Sequence, residues 1–243
     1  MGPAIGKRVV ASTNLKDNKE LNMSTTDMWF SADLHFGHEH ILEFTPRGHY
    51  FSNIDEHDQW IIRRLNEDVG PKGVIWFLGD LSFHNKWKTG ALIEQIETPN
   101  KFLVLGNHDD KHIEFYKTSG LFREVHEHRA YIKFNGRNII MDHHPIAHWR
   151  NCQHGYWMLH GHCHGDFDYA THGLDRYKIA DVGWDASPAY ELRDLSRIYA
   201  DQQLRAAGFS VSARAEQYGP IPFSKLAPIM AEREVKPHHD TYR

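Results

Sequence analysis

Apolar positions along this chain fall into short runs that stop abruptly at polar residues. The runs are Met28–Ala32, Val74–Leu78, Phe102–Leu105, Asn138–Met141 and Tyr156–Leu159. Their length and their β-branched or aromatic content predict buried strands rather than helices. Between the first two runs, Ile54, Ile61, Ile62, Leu65 and Val69 recur at helical spacing, with Ser52 or Asn53 as cap and Pro71 beyond the end. Leu92, Ile93 and Ile96 form a second helical pattern, closed by Thr98-Pro99-Asn100. Strands alternating with helices predict a layered α/β domain. Asn135-Gly136, set between Tyr131–Phe134 and Asn138–Ile140, reads as a hairpin turn. The second half of the chain is therefore expected to carry a mixed sheet.

The pattern also sets the expected boundaries. Residues 1–27 are polar and patternless and read as an irregular N-terminal extension; the domain spans 28–200. Residues 201–243, punctuated by Gly208, Gly219, Pro220, Pro222, Pro228 and Pro237, read as an irregular C-terminal extension. With 40% hydrophobic and 25% charged residues in 243, wholesale disorder is excluded. No stretch approaches the roughly 18 apolar residues of a membrane span. Lys7-Arg8 is followed only by Val9, Val10 and Ala11, short of the roughly 7–15 apolar residues of a secretory signal, so a cytoplasmic location is expected. Two cysteines, Cys152 and Cys163, make no disulfide framework. The 28 basic and 32 acidic residues leave a net charge of −4, so no global basic field invites nucleic acid. The unusual number is 20 histidines, which points to metal or phosphate chemistry.

Each apolar run delivers Asp, Asn or His at its C-terminal end. The ends are Asp33-Leu34-His35, Gly79-Asp80, Gly106-Asn107-His108-Asp109, Asp142-His143-His144-Pro145 and His160-Gly161-His162-Cys163-His164. In α/β sheets the loops at that edge converge on one crevice. Two metal ions about 3.5–4 Å apart need a shared carboxylate and a mixed oxygen and imidazole shell. Asp33 and His35 are two residues apart and can face one side, as can His162 and His164. Asp80, preceded by a glycine that allows close approach, is the natural bridge. Asn107 offers a neutral oxygen, which leaves room for the charge of a phosphate. No nucleophilic Ser or Cys constellation competes, so water must be the nucleophile.

The ordered series D-x-H, G-D, G-N-H-D, H-x-P and G-H-x-H resembles the calcineurin-like metallophosphoesterase superfamily over about residues 28–198. The opening Ser31-Ala32-Asp33-Leu34-His35-Phe36-Gly37-His38 is most similar to a small bacterial and phage subfamily, which also shows H-Y-P and V-G-x-D motifs. Their counterparts here are His143-His144-Pro145 and Val182-Gly183-Trp184-Asp185. The resemblance implies a layered, mixed β-sheet sandwich flanked by helices, with the metal site at the C-terminal ends of the strands. It implies one metal held by Asp33, His35 and His164, a second by Asn107, His143 and His162, and Asp80 bridging them. His143 and His144 compete for one role; His143 follows the strand directly and matches the family histidine before x-Pro. His108 would contact the phosphate and protonate the leaving oxygen. A metal-bridging hydroxide would attack phosphorus in line. The usual cofactor is two divalent ions, manganese above all, with iron, zinc or nickel allowed. His144 departs from the subfamily's Tyr and Cys163 from its common Thr.

Weaker signals surround this set. His38 and Arg47 are candidate substrate contacts, Arg47 because a loop guanidinium can clamp a phosphate bidentately. His40 is a lesser candidate, His160 a candidate orienting group, and His148, Trp149 and Arg150 a candidate stacking surface. Gly79-Asp80-Leu81-Ser82-Phe83-His84 lacks the x-x-D-R-G of the Ser/Thr protein phosphatases. His108 speaks against the lipid-precursor hydrolases, which carry Arg there. His84 keeps a repair nuclease in view, yet nothing beyond residue 200 resembles such a nuclease's DNA-binding cap. The expected activity is therefore a phosphodiesterase acting on a small molecule or nucleotide, without a membrane partner. The alternatives are a nuclease on DNA or RNA ends, a phosphomonoesterase and, least supported because all seven ligands are present, a non-enzymatic scaffold.

Overall fold

The structure is a computed structural model that describes residues 27–187, 217–233 and 235. Two sheets face each other. In the first, β1 (Met28–Ser31), β2 (Val74–Leu78), β3 (Asn100–Val104) and β4 (Glu124–His126) run parallel, and β9 (Ile221–Pro222) pairs antiparallel with β1. The spatial order is β4-β3-β2-β1-β9. In the second, β5 (Arg129–Phe134) is antiparallel to β6 (Arg137–Asp142), while β7 (Trp157–His160) and β8 (Ile179–Asp181) continue parallel from β6. The layered mixed-sheet α/β architecture is the one expected.

Strand alternation decides the sandwich. Phe30, Trp76, Leu78, Phe102 and Val104 of the first sheet share one buried cluster with Phe134, Ile139, Met141, Trp157 and Leu159 of the second. The intervening Ile75, Phe77 and Leu103 belong to another cluster, packed against α2 (Ile54–Val69), α3 (Lys86–Glu94) and α4 (Ile113–Thr118), which follow the short α1 (Ile41–Phe44). Burial on both faces is why these strands read as continuous apolar runs. Each large side chain so buried contributes about 1.5–3 kcal/mol. Asn53, not Ser52, caps α2: its Oδ1 accepts from Glu56 N at 2.9 Å. Asn135 and Gly136 take φ of 45° and 72°, the doubly positive turn a two-residue hairpin requires.

The stretch read as an irregular C-terminal extension contains two ordered elements. β9 extends the first sheet, and the following α5 (Phe223–Glu232) places Phe223, Leu226 and Met230 in the core between the sheets. Helical spacing is present there, but Pro222 at the cap and Pro228 inside the helix hide it from a reading by breakers. The N-terminal extension up to residue 26 and the expected boundary at residue 200 lie outside the described residues. Among the described residues no helix is long and apolar enough to cross a membrane. The two sheets are joined where the site will form: Ala32 bridges in parallel to Gly183, and Trp184 N donates to Ala32 O at 2.9 Å.

Candidate metal centre

The chain turns sharply as β1, β2 and β7 end. Asp33, His35, Asp80, His162 and His164 adopt φ of 57°, 54°, 55°, 69° and 50°. The left-handed region costs a residue with a Cβ about 1–2 kcal/mol, so five such residues persist only because their surroundings hold them. Two glycines make the approach of the strands close enough. A Cβ on Gly79 would lie 2.5 Å from His143 Nδ1, and one on Gly106 would lie 2.3 Å from Asp80 Oδ1.

Donor atoms of Asp33, His35 and His164 lie within 4.8 Å of one another, as do those of Asp33, Asp80 and His143. Asp80 Oδ2 is 3.4 Å from His143 Nε2, 3.8 Å from His35 Nε2 and 3.9 Å from His108 Nε2. Asn107 Oδ1 stands 3.0 Å from His143 Nε2. His143, His144 and His162 form a further cluster within the same 4.8 Å. His143 is buried with its Nε2 toward Asp80, whereas His144 is exposed with its ring 4.3 Å from that of His162. The structure thus brings all seven expected ligands together, with His143 rather than His144 beside Asp80.

These residues fit metal ions. Donors around a small divalent ion, with bonds of about 2.1 Å, stand about 3 Å apart, close to the separations here. His35 Nε2 is buried with no hydrogen-bond partner among the described residues, while its Nδ1 lies 3.2 Å from His38 Nδ1. A buried nitrogen aimed at a carboxylate and left without a bond is costly unless a ligand satisfies it. Oxygen and imidazole donors without thiolate suit manganese, iron, zinc or nickel.

Electrostatics couples the same atoms to one another. Burial pushes the Asp33 carboxyl up to about 7, against the pull of His164 and His143. Asp80 behaves oppositely: burial would raise it, but the hydrogen bond and charge of His143 outweigh that and hold it below the usual carboxylate range. Burial would lower His143 and His164, yet Asp80 raises the first and Asp185 the second, each to about 9. Burial holds His35 well below its ordinary value, as a neutral ligand.

The surrounding candidates divide. His38 is half-buried beside His35, its ring stacked on Phe83 at 4.0 Å. His108 lies at the mouth, its side chain 47% exposed, and its backbone N–H donates to Asp80 Oδ1 at 3.0 Å. Arg47 requires a correction. It is 1% exposed, and its guanidinium is taken up by Asp185 and by the carbonyls of Asp33 and Leu34, so it holds no fork for phosphate. Trp149 is likewise buried, donating to Tyr156 O at 3.0 Å, which removes it from any stacking surface. His160 lies beneath the site, 2.8 Å from Tyr169 Oη. His40 is exposed and lies 3.1 Å from Glu43 Oε2. Cys163 is a half-buried free thiol.

Three supporting carboxylates had no role in the sequence reading. Asp109 accepts from the backbone N–H groups of Gly106, Asp80 and Leu81 at 2.9, 2.8 and 3.1 Å, tying two motifs together. Asp185 lies 2.7 Å from His164 Nδ1. Asp58 accepts from Gly37 N at 3.2 Å. Signals existed: Asp109 and Asp185 end quoted motifs, and Asp58 sits on the otherwise apolar face of α2 formed by Ile61, Ile62 and Leu65.

Comparison with known proteins gives the same region. The family model for calcineurin-like phosphoesterases matches residues 27–201. The chain is similar to the Gene 66 protein of Mycobacterium phage L5, 30% identical over 189 residues, 68% of this chain and 88% of that protein. Its similarity to the Gene 66 protein of Mycobacterium phage D29 is 28% over 197 residues, 70% of this chain and 96% of that one. An uncharacterized protein of Methanocaldococcus jannaschii is 30% identical over 156 residues, 64% of this chain and 76% of its own length. A crystal structure of an Aquifex aeolicus protein of unknown function shares the fold at TM-score 0.52 and 21% identity, covering 66% of this chain and 91% of that one.

Proposed function

The chain belongs to the calcineurin-like phosphoesterase family, whose members hydrolyse phosphoric esters with divalent metals, and from that premise we propose that it is a dinuclear-metal phosphodiesterase. The observation that carries the reading is the convergence of His35, His143 and His108 Nε2 on one oxygen of Asp80. Asp33, His35 and His164 would hold one metal, Asn107, His143 and His162 the other, with Asp80 between. Manganese is the proposed ion. When bound, such ions supply positive charge against the phosphoryl oxygens and make the attacking water acidic enough to react near neutral pH.

The chain's own groups then do the remaining work. Asp109 holds the Asp80 and Gly106 backbones in place. His108, tied to Asp80 through its backbone but with an exposed ring, is placed to give a proton to the departing oxygen. The diester preference rests on Arg47, which is locked away and so does not meet the second charge of a monoester dianion. On either kind of ester an alkoxide leaving group would need the proton of His108. A nucleotide or small-molecule diester is the proposed substrate, and His38, at the rim beside His35, a proposed contact to it. The free thiols Cys152 and Cys163 suit a cytoplasmic location.

A nuclease is the second reading, since His84 follows Gly79-Asp80. Here that histidine is engaged at 3.0 Å by Asp58 Oδ2, and the net charge of −4 gives no counterion-release footprint. The test is turnover by the manganese-loaded chain of bis-nitrophenyl phosphate, nitrophenyl phosphate, cyclic dinucleotides and single-stranded DNA. Diester turnover well above monoester turnover is expected. The reverse ratio replaces this reading with a phosphomonoesterase, and cleavage of single-stranded DNA with a nuclease.

A further inference from the structure

The loop that carries the first ligands is encircled by buried polar groups that never face the crevice. Arg47 sits on a short 3-10 turn, Pro46–His49, directly behind Asp33–Gly37. Its Nε and Nη2 donate to the two oxygens of Asp185 at 2.9 and 2.8 Å. Nη2 also donates to Asp33 O at 2.6 Å, and Nη1 to Leu34 O at 3.0 Å. Nη1 stands 3.1 Å from His57 Nε2, and His57 Nδ1 stands 2.9 Å from Asp58 Oδ1. Asp58 reaches back to the loop by accepting from Gly37 N and engages His84 through its other oxygen. At the far end Asp185 Oδ2 touches His164 Nδ1. His57 is 0% and Asp58 1% exposed, so burial shields the central links from water.

We propose that Arg47 is a positioning residue: through this girdle it holds the Asp33–Gly37 loop, and through Asp185 the His164 ring, in ligand-presenting form before any metal arrives. The physical argument is one of backbone accounting. Asp33 and His35 adopt left-handed φ, and the carbonyls of Asp33 and Leu34 accept from the Arg47 guanidinium. A planar fork with five donors can meet two carbonyls and a carboxylate at once; a lysine cannot. Asp185, anchored by that fork, holds the His164 ring through Nδ1, the usual task of an outer carboxylate. One buried cation thus serves both arms of the first ligand set, the Asp33–His35 loop directly and His164 through Asp185.

The inference rests on the proposed metal reading only for its His164 arm; the loop arm is judged on the metal-free protein. The experiment compares wild type with Arg47→Lys and with the near-isosteric Asp185→Asn, which keeps the test alive should the first fail to fold. Hydrogen exchange is measured without metal, and Mn2+ binding and turnover are then followed as Mn2+ is added. Arg47→Lys is expected to lose at least about tenfold of the exchange protection in residues 33–37 while residues 157–160 keep theirs. Both variants should need roughly 10–100-fold more Mn2+ for half-maximal binding, with turnover recovering at saturating Mn2+. Unchanged protection and unchanged Mn2+ demand in a folded variant would overturn the proposal. So would protection lost equally in both segments, which assigns Arg47 to global stability alone. Should wild type itself bind no Mn2+, the metal reading fails, and the exchange data still decide whether Arg47 shapes the loop.

Discussion

The two halves of the proposed centre both pair an oxygen donor with two imidazoles but are held by different means. Asp33 and His35 lie deep, 0% and 3% exposed, with His164 half-buried beside them, and ionic groups brace them from behind: Arg47 against the loop and Asp185 against His164. In the other half His143 is buried but Asn107 and His162 are exposed, and the braces there are largely backbone. His143 Nδ1 meets Leu78 O at 2.7 Å, and His162 N donates to both oxygens of Asp33 at 3.1 and 2.9 Å. A buried ionic brace holds its ligand in one geometry whether or not metal is present, because leaving it unpaired is costly. A rim position keeps water at hand and leaves room for a substrate oxygen. On the proposed metal reading, this difference would give the centre a firmly held side and a more open side, with the phosphate expected at the second.

The largest effect expected is the one that abolishes the difference. Asp80 faces both halves, so Asp80→Asn should strip both metals and lower turnover by roughly 10⁴-fold or more, the loss of several kcal/mol of charge stabilisation. Asp33→Asn should lose less metal. Elemental analysis finding two full equivalents in folded Asp80→Asn would remove it from the bridge.

His108 sharpens the comparison next, because it borders the exposed half without being counted among its ligands. His108→Ala should retain both metals and slow release of an alkoxide by roughly 10²–10⁴-fold. Release of nitrophenolate, which departs without a proton, should be slowed far less. Equal losses on both leaving groups would reassign the residue to phosphate binding, and loss of metal would add it to the ligand set.

The smallest effect reads the asymmetry directly. Chelator added to the loaded protein should withdraw metal in two phases separated by about tenfold or more in rate, a span that outer-shell braces are able to set. His162→Ala should leave a single, slow phase. One phase in wild type, or a fast phase that survives in His162→Ala, would mean the halves are not distinguished in the way their burial indicates.

Most of the centre was legible along the chain because its ligands follow strand ends, and strands reveal themselves by local apolar runs. Asp33, Asp80, Asn107 and the Gly161-His162-Cys163-His164 segment each announce themselves within a few residues of such a run. The choice between His143 and His144 was readable only as an order along the motif; burial beside Asp80 is what separates them. Arg47 was misread because, by itself, a loop guanidinium between Pro46 and Gly48 looks solvated. Its partner Asp185 lies 138 residues away. The helix α5 escaped for a different reason, since prolines mask a periodicity that the core between the sheets nevertheless uses.

What the sequence by itself determined, then, is everything that depends on period and on residue type: the strands, the capped helix Ile54–Val69, the doubly positive turn at Asn135-Gly136 and the kinds of donor at each strand end. Only the tertiary structure decided which donors meet, which histidine faces Asp80, and that Arg47 and Asp185 stand behind the ligands rather than before the substrate. The physical reason is range. Alternation and turn preference are energies of neighbouring residues, whereas a buried charge takes its meaning from whichever opposite charge the fold delivers to it, and that pairing is fixed only when both sheets have closed on their common core.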